Sequence, residues 1–421
     1  MTAEVGVIHA DGVVTGAAAD IRDGAVALAR GGQVLEVGPA ADVLPRHAGA
    51  RVVRVRGVVF PGLVNAHTHV ELSVLLGRIP GGRGFVDWVD RFVATRTEVM
   101  EDEEAAAITR AVDDLDAFAT SAVGDVTNKL TAVRSLARRG IAGSVFHEVF
   151  GMRIAPLQQR VGSLAEDVEK AVGPWPSQDL VYAIAPHTLY TTHPEMVEVL
   201  AHLAKQRGIV TSLHLCEHAA ERRALEAGDG PMVDWLADRT KTPKEAMEWP
   251  HMSPIAFADK LGALGPHVLC VHLSDARPEE LAKLIERSAP VVLCPRSNLH
   301  IEVRLPPLLA IRAAGIEPAL GTDSLASNAS LDVLMEARAL GDRFPDVPAR
   351  ELMQMATWNG ARALGRLDLG RIAKGARPGI AAVDGDGLID SPSAFLLAHV
   401  KSPRRWVARR GPGSGKEEAA S

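Results

Sequence analysis

The stretch VVFPGLVNAHTHVELS, residues 58–73, decides the fold. It is a near-continuous apolar run that ends in two histidines, His67 and His69. Parallel strands buried on both faces read this way. Side chains two apart on a strand share one side, so both imidazoles can converge on one point at the strand end. Outward from this stretch a helix–strand rhythm runs through the chain. LTAVRSLARRG (130–140) precedes IAGSVFHEVF, and MVEVLAHLAKQRG (196–208) precedes IVTSLHLCE. IAFADKLGALG (255–265), EELAKLIERSA (279–289) and PPLLAIRAAG (306–315) precede PHVLCVHLSD, PVVLCPRSN and IEPALGTDS. The helical runs carry apolar residues three and four apart, and several stop at glycine.

Eight strands are predicted, ending near Asn65, Asp125, Glu148, His187, His214, His272, Pro295 and Gly321. Eight parallel strands alternating with helices imply an α/β fold, a closed (β/α)8 TIM-like barrel, over residues 59–365. An open doubly wound sheet would need a glycine-rich phosphate loop after its first strand, and the sequence has none there. Residues 1–58 read as short strands, with a hairpin around Gly31-Gly32 in AVALARGGQVLEVG. GRIAKGARPGIAAVDGDG (370–387) returns to short strands. Residues 1–58 and 366–410 are therefore expected to form one small discontinuous β-sandwich domain. The polar, glycine-rich tail, 411–421, is expected to be disordered.

Composition bounds the function. A net charge of −6 leaves no basic face for phosphates, so nucleic acid is not an expected partner. No run of about 18 apolar residues spans a membrane. The first residues, MTAEVGVIHADG, lack a basic region followed by an apolar stretch, so a cytoplasmic enzyme is expected. Cys216, Cys270 and Cys294 sit in apolar runs without a C-x-x-C pair. They read as small buried hydrophobes rather than thiolate ligands.

A single H-x-H is weak evidence. Here His214, His272 and Asp323 stand at the ends of later strands, where the active sites of such barrels lie. Each alone could fill a structural role, but the set points to a metal centre. The motifs PGLVNAHTH, HLCE, VHLSD, CPRSN and LGTDSLASN, in this order, resemble the amidohydrolase superfamily over nearly the whole chain. That resemblance implies that His67, His69, His214 and Asp323 hold one divalent ion, zinc first and iron second. It implies that His272 orients the attacking water and that Glu217 shuttles protons, with Asp323 also accepting one. Binuclear members carry a carboxylated lysine at the fourth strand end; VYAIAPHTLYTT (181–192) offers His187 instead, so a mononuclear site is expected.

HTHVELS with Glu71, VGDVTN, FHEVFG, APHTLYTT, CPRSN and GFVDWV further resemble the subgroup of aminodeoxyfutalosine deaminases. The implied reaction is hydrolytic loss of ammonia from an adenine-type nucleoside, best 6-amino-6-deoxyfutalosine on a route to menaquinone. Methylthioadenosine, S-adenosylhomocysteine or guanine deamination, chlorohydrolase or amide hydrolysis, and a non-catalytic scaffold are the alternatives. Relatives of this kind are often dimers, which implies a homodimer. His187, Arg296, Asn298, Trp88 and Glu71 are the substrate-binding candidates. Arg296 could meet a substrate carboxylate as a two-pronged donor, or it could pair with a neighbouring acid. Phe85 and Trp88 read either as pocket caps or as helix packing. Glu71 reads more readily as a supporting acid than as a direct catalyst. The directions of Asp125, His147, Glu148 and His300 stay open, and residues 228–261 suggest extra helices over the mouth.

Overall fold

The structure, a computed structural model, describes residues 6–385 and 389–410; the expected tail, 411–421, lies outside them. Fourteen strands are numbered in chain order. β1 (Gly6–Val13), β2 (Ile21–Leu28), β3 (Val34–Pro39) and β4 (Arg51–Pro61) begin the chain. The barrel strands are β5 (Leu63–Thr68), β6 (Thr120–Thr127), β7 (Ala142–Val149), β8 (Leu180–Pro186), β9 (Thr211–Leu215), β10 (Val268–His272), β11 (Val291–Leu293) and β12 (Ala319–Leu320). β13 (Ile380–Asp384) and β14 (Arg405–Ala408) follow.

The barrel strands run parallel in two arcs, β5-β6-β7-β8 and β9-β10-β11-β12. Two short seams close the arcs into one ring. At one, His214 N donates to the His187 carbonyl (3.1 Å), and Thr188 bridges His214. At the other, Thr322 N and Asp323 N both donate to the His67 carbonyl (2.9 and 3.1 Å), and Thr68 bridges Asp323. Asn65 reinforces this seam, its Oδ1 accepting from Thr322 N and its Nδ2 donating to Thr322 Oγ1.

Small and branched side chains fill the ring, among them Val64, Ala66, Val126, Ala185 and Val271, with Phe146 as the one large buried ring in this cluster. Aromatic residues are only 4% of the sequence, and this interior has little need of them. The helix Pro194–Arg207 shows how the outer layer is made. Pro194 opens it, Met196, Val197, Leu200 and Ala204 face inward, and Gly208 at φ 62° ends it in the left-handed conformation a side chain would resist.

The strands of the two chain ends lie in one six-stranded sheet, in the order β14-β13-β4-β1-β2-β3. The short helix Ala40–Arg46 packs on one face through Ala40 and Val43. β4 runs to Pro61 and passes through Gly62 straight into β5, so the expected boundary at residue 58 falls inside a strand. The run VVFPGLVN carries no polar break that would reveal it. A helix at Pro392–Ala398 was not anticipated. Residues 228–261 do form two further helices, Pro231–Thr240 and Pro254–Lys260. No helix among the described residues is long and apolar enough to cross a membrane. All three cysteines are buried and unpaired, as their apolar surroundings suggested.

The seam gives a stability test. A Cβ on Gly321 would stand 2.7 Å from both the Cβ and the carbonyl oxygen of His67. Neither atom can yield without opening the ring. Gly321→Ala is expected to cost about 1–3 kcal/mol, as overpacking does, and to lower the melting temperature measured by calorimetry. An unchanged melting temperature would mean that the seam is not tightly packed.

Candidate metal centre and active site

Both seams carry candidate ligands, because the strands that close the ring end in them. β5 delivers His67 and His69, β9 delivers His214, β10 delivers His272, and the turn after β12 delivers Asp323. The His67 ring lies 4.9–5.6 Å, centroid to centroid, from those of His69, His214 and His272. His69 Nε2 stands 3.4 Å from His214 Nε2 and 3.4 Å from Asp323 Oδ1, and His67 Nε2 is 3.7 Å from the same oxygen.

Those separations suit one ion. Two ligands about 2.1 Å from a zinc ion at the tetrahedral angle stand about 3.4 Å apart. Both ring nitrogens of His67 are buried without a hydrogen-bond partner, which a ligand histidine explains for one of them. His214 Nδ1 donates to the His187 carbonyl (3.0 Å), so its Nε2 lone pair faces the cluster. Asp323 is aimed in the same way: Ser297 Oγ and Ser327 Oγ donate to Oδ2 (2.6 and 2.9 Å), leaving Oδ1 for the imidazoles. The donor set of imidazoles and one carboxylate fits zinc or another borderline divalent ion.

The electrostatics agree with this use. Burial pushes His69 well below its ordinary range and His214 down to about 4, so both are neutral ligands at neutral pH. Burial works against charge on Asp323, but the neighbouring imidazoles of His67, His69 and His272 outweigh it and hold its carboxyl well below the usual range. Burial, with the charge of Asp323 nearby, pushes Glu217 well above its usual range. The two carboxyls are thus pushed in opposite directions, Asp323 toward the charged form and Glu217 toward the protonated one.

Glu217 Oε1 stands 3.6 Å from His272 Nε2. Asn298 Nδ2 donates to His272 Nδ1 (3.3 Å), which leaves the proton of the neutral imidazole on Nε2, toward Glu217. The Glu217 backbone is clamped as well. Its N–H and that of Cys216 donate to the Glu221 carboxylate (2.8 and 3.1 Å), and Ser274 Oγ donates to its carbonyl. Cys216, His272, Leu273 and Asp323 all have φ between 52° and 80°. Such backbone costs about 1–3 kcal/mol per residue and persists only where surrounding bonds over-determine it.

The remaining candidates fall in different places. His187 lies beside His214, with ring centroids 5.1 Å apart, and Thr191 Oγ1 contacts its Nδ1 at 2.7 Å. Asn298 stands behind His272 rather than in the open site. Trp88 is packed between Phe85 and Phe92, with its Nε1 buried and unpartnered. Phe85 stacks on His218, the neighbour of Glu217, at 3.9 Å and 13°. The buried Glu336 accepts the Arg296 backbone N–H (2.8 Å) and stands 3.6 Å from its Nη1, which is buried without a hydrogen-bond partner.

Glu71 needs correction as a substrate contact. Arg96 Nη2, Thr127 Oγ1, Asn128 N and Lys129 N all donate to its carboxylate, which has about four lone-pair sites. It binds the loop after β6 and has nothing left for a ligand. Of the residues with open direction, Asp125 accepts from Val70 N at the first connection, His147 meets Tyr182, and His300 contacts the Ile79 carbonyl. Only Glu148 turns toward the centre, with Oε1 3.8 Å from His214 Nδ1. Ser297 and Ser327 belong to this centre too, and they stand in CPRSN and LGTDSLASN without any local pattern that marks the role.

Removing the two hydroxyls tests how Asp323 is aimed. The pair Ser297→Ala and Ser327→Ala is expected to weaken zinc binding about 10- to 100-fold, as loss of ligand-orienting bonds does, with the fold intact by circular dichroism. Unchanged affinity in a zinc titration would show that Asp323 needs no such support.

Comparison with known proteins places this geometry. The Amidohydrolase family model matches residues 58–405. An aminodeoxyfutalosine deaminase of Deinococcus radiodurans is 28% identical over 322 residues, which cover 74% of each chain. The solved structure of Helicobacter pylori aminofutalosine deaminase in complex with methylthio-coformycin superposes with a TM-score of 0.84 at 22% identity, covering 96% of this chain and 98% of that one. An adenosine deaminase from Xanthomonas campestris with bound zinc superposes with a TM-score of 0.73 at 25% identity, covering 96% and 90%. With the family model matched from β4 through the whole barrel to β14, the chain belongs to the amidohydrolase family.

Proposed function

We propose that this enzyme is a hydrolytic deaminase of an adenine-type nucleoside, with His67, His69, His214 and Asp323 holding one divalent ion, zinc before iron. The observation that carries the reading is the meeting of His69, His214 and Asp323 at 3.4 Å with a second carboxyl, Glu217, just across His272. Enzymes of this family use a divalent metal. Bound there, such an ion acts as a Lewis acid and brings the pKa of water from 15.7 to about 7.

The side chains divide the proton work. Asp323 stays charged and accepts a proton from the attacking water. His272, with Nε2–H toward Glu217, holds the water against the ring carbon that bears the amine. Glu217 arrives protonated and gives its proton to the adjacent ring nitrogen, which lowers the barrier to addition. The proton on Asp323 then goes to the amine, which leaves as ammonia. As the amine leaves, the added hydroxyl returns a proton to Glu217, so one water is consumed, Glu217 is restored and the product carries a carbonyl where the amine stood. General acid–base assistance of this kind supplies about 10² to 10⁴-fold.

For the nucleoside, 6-amino-6-deoxyfutalosine of the menaquinone route is the preferred reading, supported by the similarity to the Deinococcus radiodurans deaminase. Arg296 stands 3.6 Å from Glu336 with its Nη1 free of any hydrogen bond, so the ion-pair and the carboxylate-binding readings of this residue both stand. Product formation should be followed by mass spectrometry on 6-amino-6-deoxyfutalosine, methylthioadenosine, S-adenosylhomocysteine, adenosine and guanine, beside amides and chlorotriazines, with ammonia release measured on the amino-purines. Turnover confined to the amino-purines is expected, and turnover of amides or chlorotriazines alone would overturn the reading.

Metal content and the role of Glu217 give two further outcomes. Protein loaded with excess zinc and then desalted should retain one equivalent per chain, since the fourth strand end offers His187 and no lysine. Two retained equivalents, both required for turnover, would contradict a mononuclear site. Glu217→Gln should keep its zinc yet lose about 10² to 10⁴-fold in kcat. Near-normal turnover by that variant would remove Glu217 from the proton path.

A further inference from the structure

Along β7 the even-numbered side chains face the barrel interior, because alternate residues of a strand share a side. Phe146 is fully buried in the core of the ring. Glu148, two residues on, reaches the level of His214. Phe150 comes next and is 59% exposed, the only aromatic among the exposed large hydrophobic side chains of the described residues. The odd-numbered neighbours Val145 and His147 face outward, Val145 into the helix-packed cluster and His147 toward Tyr182.

Phe150 is open yet its backbone is fixed on both sides. Val149 accepts the His187 N–H (3.1 Å), Gly151 N donates to the Thr191 carbonyl (2.7 Å), and His193 N donates to the Gly151 carbonyl (2.9 Å). Its ring meets the ring of His187 at 6.0 Å and 62°, and His187 in turn lies 5.1 Å from His214. A rigid aromatic side chain thus stands at the rim, one imidazole away from the candidate ligands, in a chain with 9 Phe, 2 Tyr and 6 Trp. Buried aromatic surface usually holds such rings, and this one is left uncovered above the site. With more than half of its surface exposed, the ring leaves room for a flat partner in the offset geometry aromatic pairs prefer.

We propose that Phe150 is a specificity-determining residue that stacks on a flat, unsaturated group attached to the 5′ side of the nucleoside. The proposal rests on the deaminase reading and adds to it the wall on which the remote part of the substrate lies. The purine occupies the centre between Glu217 and Asp323, and the group beyond the sugar extends past His187 to the rim after β7. Glu148, two residues earlier on β7, has its Oε1 buried without a hydrogen-bond partner 3.8 Å from His214 Nδ1, between the rim and the candidate ligands.

The test compares 5′-deoxyadenosine with a 5′-deoxyadenosine carrying a phenyl group at its 5′ position, for wild type, Phe150→Ala and Phe150→Tyr. Wild type should favour the phenyl compound in kcat/KM. Phe150→Ala should lose about tenfold more on it than on 5′-deoxyadenosine, a difference of about 1.4 kcal/mol, mostly in KM. Phe150→Tyr keeps the ring and should restore the preference. Equal losses on both nucleosides, or loss of bound zinc in Phe150→Ala, would overturn the proposal and make Phe150 a support of His187. Turnover of neither nucleoside by the wild type would instead overturn the deaminase reading, and this inference with it.

Discussion

The His67 carbonyl accepts the amides of Thr322 and Asp323, and the site depends on that closure. A parallel ring needs a bond between its last and first strands, and here the last strand is only two residues long. The chain therefore closes through the turn that follows it. His67 and Asp323 place a candidate ligand on each side of the seam, so closing the barrel also brings the candidate ligands together. The opposite seam repeats the arrangement, with His214 N and Nδ1 both bonded to the His187 carbonyl. Asn65 and Gly321 serve the first seam, one by clamping Thr322 and the other by leaving room for His67.

That geometry sets the charges. Burial in the dry barrel mouth pushes His69, His214 and His272 toward the neutral form, because a positive charge there would lack solvation. Asp323 keeps its charge between the surrounding rings and the two serine hydroxyls that donate to it, whereas burial beside that charge pushes Glu217 toward its protonated form. Two carboxyls in one site thus differ in protonation through their neighbours alone. The left-handed backbone at Cys216, His272 and Asp323 is the cost of turning these side chains inward, and cross-strand bonds such as Asp275 N to the Cys216 carbonyl (2.8 Å) hold it.

Much of this is legible in the sequence because burial on both faces makes barrel strands continuous apolar runs, and their ends carry the polar residues. His67, His69, His214, His272 and Asp323 all stand at such ends, and the eight predicted strands are the eight of the barrel. What sequence hides is direction and pairing. Asp125 and Glu148 are both acids near strand ends, yet only strand parity sends Glu148 inward and Asp125 out to Val70. Glu336, which holds Arg296, lies 40 residues away on another helix, and no local pattern announces it. Glu71 stands beside the H-x-H motif and still belongs to the scaffold, because four donors from distant segments saturate it. Ser297 and Ser327 look like ordinary loop serines until Asp323 is seen between them.

The central claim is that water adds to an amine-bearing purine carbon at a centre that requires one divalent ion. The most direct measurement is turnover of an adenine nucleoside in heavy-oxygen water by chelated and zinc-reloaded protein, with mass spectrometry of the product. The account predicts a product with one labelled oxygen on the former amine-bearing carbon and one ammonia per turnover, lost on chelation and restored by zinc. A product that keeps its amine, with the base cleaved from the sugar, would contradict it, as would full activity after the metal is removed.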